Sequence, residues 1–212
     1  MSTLALPGLV LRLIAAATTP VHHLPPPAVQ EPATRVLFVG NSFTFRNDVP
    51  ALVAELGLCH DPPVRLVVAM VARDGMTLER HWEEGDVARR LNAEGWDIVI
   101  LQEQSSRPLA EPERMETYVG RFAALAREAG TDVILFQTWP RVDQPETEEP
   151  LAPVYRRIAA AVGATVAPVG AAWSRARAKH PGLALYAGDG LHASPAGSRL
   201  AAAVILEAIL RR

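Results

Sequence analysis

Cysteine is almost missing from this chain: Cys59 is the single one among 212 residues. That excludes an internal disulfide. It also excludes a thiolate zinc site, because there is no second thiol and no histidine pair has ligand spacing. Lysine is equally scarce. Lys179 is the only one, and the rest of the positive charge is arginine, a bias of composition rather than of function. No excess of either sign exists, since the formal net charge is −2, so nothing in the balance points to nucleic acid or to an anionic membrane. Long apolar runs are lacking too. The segment from Leu4 to Ala17 is too short for a membrane span. It is broken by Pro7 and Arg12 and preceded by no basic residue, so it is also a poor secretory signal and a cytoplasmic location is favoured over a secreted one.

What remains is ordinary material for one globular domain, with 49% apolar and 21% charged residues. Residues 1–34, with Pro20 and Pro25-Pro26-Pro27, read as a flexible tail: a possible signal segment followed by an extended linker. His22 and His23 in that tail read as solvated. The folded domain is expected over residues 35–212.

Along that domain short apolar runs alternate with helical periodicity. Val36–Val39, Val64–Val71, Asp97–Leu101, Val133–Phe136 and Ala164–Val169 read as strands, the second as buried as the first. Helices are expected over residues 49–56, 77–82, 86–94, 111–128, 155–162, 171–178 and 194–210, with a loop over 140–152. Ser194-Pro195 gives the last helix an N-cap and a proline at its first position. This pattern predicts an α/β fold, a three-layer α/β/α sandwich around a five-stranded parallel sheet. Such a sheet gathers its functional loops along the carboxyl ends of the strands, which would bring Ser42, Gly75, Gln104 and Trp139 together.

The stretch Gly40-Asn41-Ser42 follows the first strand. Glycine and asparagine visit left-handed backbone angles most readily, so they predict a sharp turn there. Ser42 then either caps the following helix or serves as a nucleophile at a helix N-terminus. A serine nucleophile needs a base that is itself oriented by a third group. Asp189-Gly190-Leu191-His192 supplies that pair: Asp189 could hold Nδ1–H of His192 and leave Nε2 for the Ser42 proton. His81 is the rival base, but it lies within a helix beside Trp82 and reads as packing. His60 and His180 read as solvated.

An oxyanion would need donors. Ser42 N–H is one candidate and Gly75 N–H a second, the alternative for Gly75 being a plain turn glycine. A side-chain amide of Gln102 or Gln104 is the third. Both point to one side of an extended chain, and Gln104, further past the strand end, is preferred. Arg107, Trp139 and Arg141 are expected at the rim, with Trp139 either stacking on a sugar or walling an acyl pocket.

Taken in order, these four signatures resemble those of the SGNH/GDSL hydrolases, from about Arg35 to the end of the chain. The resemblance implies a flavodoxin-like topology. It also implies Ser42 as nucleophile, His192 as base held by Asp189, and an oxyanion hole with Gly75 and a side-chain amide. Two positions depart from the family pattern. Asn41 stands where Asp is usual, and Gln104 stands where the amide Asn is usual, keeping the donor and adding a methylene.

The expectation is a two-step acyl transfer on a carboxylic ester, a short acyl ester or an O-acetylated carbohydrate, with no metal or organic cofactor. A small-molecule or carbohydrate ester is the expected partner, without nucleic acid or a membrane span. Two other readings compete: a non-catalytic binding module of the same fold, and a phosphate binder using Gly40 to Thr44 as an anion cradle. The second leaves Asp189 and His192 without a purpose.

Overall fold

The computed structural model describes residues 33–212. The expected tail, its signal segment and its linker lie outside the described residues but for the last two.

Five strands form one parallel sheet: β1 Thr34–Gly40, β2 Leu66–Ala72, β3 Ile98–Leu101, β4 Asp132–Phe136 and β5 Thr165–Ala167, in the order β2-β1-β3-β4-β5. β1 is central to the register, pairing Val36 with Val68 on one side and with Ile98 on the other. The expected α/β/α sandwich is what the chain forms, and the strand order is the flavodoxin-like one. The helices are α1 Ser42–Phe45, α2 Val49–Leu58, α3 Leu78–Glu84, α4 Asp86–Ala93, α5 Arg107–Ala110, α6 Pro112–Glu128, α7 Glu148–Val162, α8 Val169–Lys179 and α9 Pro195–Leu210.

Period-two alternation divides the strand side chains between two cores. Val36, Phe38, Ile98, Ile100, Ile134 and Phe136 pack against α2, α8 and α9. Leu37, Val39, Val99, Leu101 and Leu135 face the other way, onto α3, α4, α6 and α7. Each face buries enough aliphatic and aromatic surface to fix the register, since a one-residue slip would exchange the two sets.

Two expectations are corrected. β2 is an edge strand, not a doubly buried one, and its Val67 and Met70 are exposed; an all-apolar run does not reveal which strand ends up at the sheet's margin. α7 begins seven residues before the expected Tyr155, inside the segment read as loop. Pro150 lies in the first turn, where a missing N–H costs nothing, and Pro153 forfeits a single backbone bond. Burial of Leu151 and Tyr155, one turn apart on the core-facing side, carries the helix through it.

Candidate active site

At the carboxyl end of β1 the chain turns without any left-handed residue. Asn41 has φ −139°, and neither it nor Gly40 has a positive φ, contrary to the expected turn. Gly40 is required by space instead: a Cβ there would meet Thr44 Oγ1 at 2.4 Å and Gln102 Oε1 at 2.5 Å. Gln102 is wholly buried. Its Oε1 accepts from Asn41 N (2.9 Å) and Thr44 Oγ1 (2.9 Å), and its Nε2 donates to Glu103 O. That removes Gln102 from the candidate oxyanion donors, because its amide is spent on the turn.

The helix cap is Asn41, not Ser42. Asn41 Oδ1 accepts from Phe43 N (3.2 Å) while Nδ2 donates to Met76 O (2.9 Å). An aspartate could not make the second contact, so the departure at this position has a local physical reason. His81 supports the same turn from α3. It is buried and its Nε2–H donates to Gly40 O at 2.7 Å, as packing rather than as a base, and burial pushes its pKa down.

With the cap assigned to Asn41, the Ser42 side chain is left to its other neighbour. Ser42 Oγ lies 2.9 Å from His192 Nε2 across 150 residues of chain, and His192 Nδ1 lies 2.6 Å from Asp189 Oδ2. The Asp189 carboxylate requires the tautomer with the proton on Nδ1, which leaves the Nε2 lone pair facing the hydroxyl. Asp189 Oδ1 also accepts from Leu191 N (3.0 Å) and His192 N (2.9 Å). Its hydrogen bond from the imidazole, reinforced by those two backbone N–H groups, holds the carboxyl well below the usual carboxylate range. Arg46 adds a cation 3.7 Å from Oδ2.

The loop carrying His192 is held at both ends. Trp139 Nε1 donates to Leu191 O (3.0 Å), and Asn47 Nδ2 donates to Ala193 O (3.1 Å) and Ser198 Oγ (2.9 Å). Asn47, Arg46 and Phe43 are supports that no motif in the sequence announces. Asn47 and Asp48 have the positive φ values of this segment, and two adjacent residues of the types that tolerate that region, Asn-Asp, are the signal that could have marked the turn.

Gly75, with φ +64°, Gln104 and Ser105 line a cavity of about 220 Å³ together with Ser42 and His192. Gln104 Oε1 accepts from Ser106 N, Ser106 Oγ and Arg107 N, which fixes the amide with its Nε2 away from those donors. A larger cavity of about 300 Å³ adjoins through Ser105 and is lined by Leu109, Trp139, Arg141, Gln144 and Leu151, among others.

Of the expected rim residues, Trp139 is left only the second of its two expected roles, a cavity wall, and Arg107 is turned inward. The Trp139 side chain is buried, stacked on Phe43 (centroids 4.4 Å) and on Trp173 (4.1 Å), so neither face can take a sugar ring. The Arg107 guanidinium is paired with Glu79 (2.8 Å) and Glu111 (3.6 Å) rather than offered to solvent. Arg141 is the cation left at the rim, half-exposed beside Asp143. His60 and His180 are exposed, as expected. Among the described residues no cluster of metal-ligating side chains occurs, and no helix is long and apolar enough to cross a membrane.

No protein-family model matches the chain, and comparison with curated protein sequences finds no match. Solved structures do match. An acetyl-xylooligosaccharide esterase from Geobacillus, Axe2, is 18% identical over 85% of this chain and 96% of its own, with a TM-score of 0.66. A GDSL-like lipase from Parabacteroides merdae is 16% identical over 89% of this chain and 100% of its own, at 0.67. These two share the fold. A protein from Slackia heliotrinireducens assigned to the SGNH hydrolases is nearer, at 32% identity over 84% of this chain and all of that one, with a TM-score of 0.73. With identity at that level sustained across nearly the whole described domain, the chain belongs to the SGNH/GDSL hydrolases.

Proposed function

We propose that residues 35–212 form a serine esterase domain that cleaves short acyl esters, O-acetylated carbohydrate among them, through an acyl-enzyme. Ser42 is the nucleophile, His192 the general base and then acid, and Asp189 the group that orients and charge-stabilises the imidazole. Ser42 N–H, Gly75 N–H and the Gln104 amide are the oxyanion donors. The single observation that carries this reading is the unbroken chain from Ser42 Oγ through His192 to Asp189, at 2.9 and 2.6 Å.

In the first step Ser42 Oγ attacks the ester carbonyl while Nε2 of His192 takes its proton. Collapse of the tetrahedral species expels the alcohol, which receives that proton from His192. Water, deprotonated by the same nitrogen, then attacks the acyl-enzyme, and Ser42 is restored. The small space around Ser42 supports a short acyl group. The acetyl-xylooligosaccharide esterase Axe2 among the structural relatives supports acetylated carbohydrate as the first class to screen.

Hydrolysis of p-nitrophenyl acetate by the native chain, Ser42→Ala and His192→Ala tests the reading. Turnover should fall by about 10⁶-fold in the serine variant and comparably in the histidine variant. Equal rates in all three would sink it.

A further inference from the structure

Glu103 is fully buried, 0% exposed, immediately past β3, and the acyl-transfer steps do not use it. Its Oε1 accepts two backbone N–H groups: Gln104 N at 2.6 Å and Leu78 N at 3.2 Å. The first belongs to the residue proposed to supply the side-chain oxyanion donor. The second opens α3, three residues after Gly75. One carboxyl oxygen thus fastens the Gly75 turn to the Gln104 segment, while Asn41 Nδ2 on Met76 O fastens the same turn to the nucleophile.

We propose that Glu103 is a positioning residue of the oxyanion hole, its Oε1 the clamp that sets Gly75 N–H and the Gln104 amide at one spacing. The proposal rests on the esterase reading above. Oxyanion donors must be placed to within a fraction of an ångström for their full effect, so a clamp behind two of them acts on rate more than on ground-state binding.

The surroundings say why the carboxyl keeps its proton to a higher pH than an ordinary glutamate. Oε2 is buried without a hydrogen-bond partner. The charged or titratable groups facing it are Arg107 on α5, Glu79 on α3 and Tyr155 on α7. Arg107 is shared between Glu79 at 2.8 Å and Glu111 at 3.6 Å, so its pull on Glu103 is smaller than the cost of burial, and the neutral phenol of Tyr155 brings no cation. A bare carboxylate here would be a buried charge without a directly paired cation. Burial accordingly pushes the Glu103 carboxyl up to about 7. Above that pH the ionised group places a negative charge directly behind the donors that must meet a developing oxyanion, which opposes the reaction.

The experiment measures kcat and KM for p-nitrophenyl acetate across about pH 5.5 to 9 in the native chain, Glu103→Gln and Glu103→Ala, with Ser42→Ala as the blank. The native kcat should carry a decline with a midpoint near 7. Glu103→Gln keeps the Oε1 acceptor and cannot ionise, so that decline should vanish. Glu103→Ala orphans both N–H groups and should lower kcat about 10- to 100-fold, with KM changed by less than about threefold. Recovery of most of that loss by glutamine supports the clamp. An unaltered decline in Glu103→Gln, or native kcat in Glu103→Ala, overturns it. Should the alanine variant fail to fold, the glutamine pH profile decides alone. If Ser42→Ala turns over at the native rate, the esterase reading falls instead, so the two failures are distinguishable.

Discussion

Asp189 and Glu103 stand at opposite ends of the candidate site and begin from the same arrangement. Each offers one carboxyl oxygen to two backbone N–H groups, from Leu191 and His192 in one case and from Leu78 and Gln104 in the other. They differ in the second oxygen. That of Asp189 meets the His192 imidazole at 2.6 Å and lies 3.7 Å from Arg46, whereas that of Glu103 meets nothing polar and is sealed from water. Two backbone donors do not fix the charge of a carboxyl by themselves. Solvent access and the partner of the other oxygen decide it, holding Asp189 ionised and Glu103 protonated through the mildly acidic range.

The comparison breaks most sharply at Asp189. Asp189→Asn keeps the shape but can present its amide N–H to Nδ1, stabilising the wrong tautomer; kcat should fall by about 10³- to 10⁴-fold in the ester assay. A fall of less than tenfold would mean that the charge is dispensable, erasing the contrast.

Stability against pH gives a smaller, sharper test. Glu103 has a folded-state pKa raised from 4.5 to about 7. The folded chain therefore holds a proton that the unfolded chain has lost, and its contribution is fully present below about 4.5 and lost as pH rises to about 7. The loss is at most on the order of 3 kcal/mol. His81, whose pKa burial lowers, acts with the opposite sign, so the measurement is the difference between native and Glu103→Gln Tm values. That difference should grow in favour of the variant between about pH 4.5 and 7 and then level off. A constant difference would show that Glu103 does not titrate there.

The smallest effect is expected at Arg46. Its pair with Asp189 is long and solvent-facing on both sides, so Arg46→Ala should change kcat by no more than about threefold. A larger loss would move the source of the Asp189 charge from the imidazole to the guanidinium.

Much of this was legible in the sequence because it depends on local pattern. Short apolar runs between helical periods gave the parallel sheet, and the strand ends gave the edge where Ser42, Gly75 and Gln104 gather. What was illegible depends on partners distant in the chain. Trp139 reads equally as a platform for a sugar or as a pocket wall until Phe43 and Trp173 cover both faces and leave only the wall. Gly40 reads as a conformational glycine until Gln102, 62 residues later in the numbering, is found where its Cβ would be. Glu103 reads as one polar residue among several, since its charge follows from burial and from the Glu79–Arg107 pairing beside it. The stretch 140–152 reads as loop and hides the first turn of α7, because the burial of Leu151 outweighs the one backbone bond that Pro153 forfeits.

The indole pair of Trp139 and Trp173 lies 4.1 Å apart and 6° from parallel, and Trp139 Nε1 is tied to the carbonyl of Leu191 next to the proposed base. Chromophores in that register couple their electronic transitions. Near-ultraviolet circular dichroism therefore reads, without any label, whether the indole packing that ties down the Leu191 loop is intact.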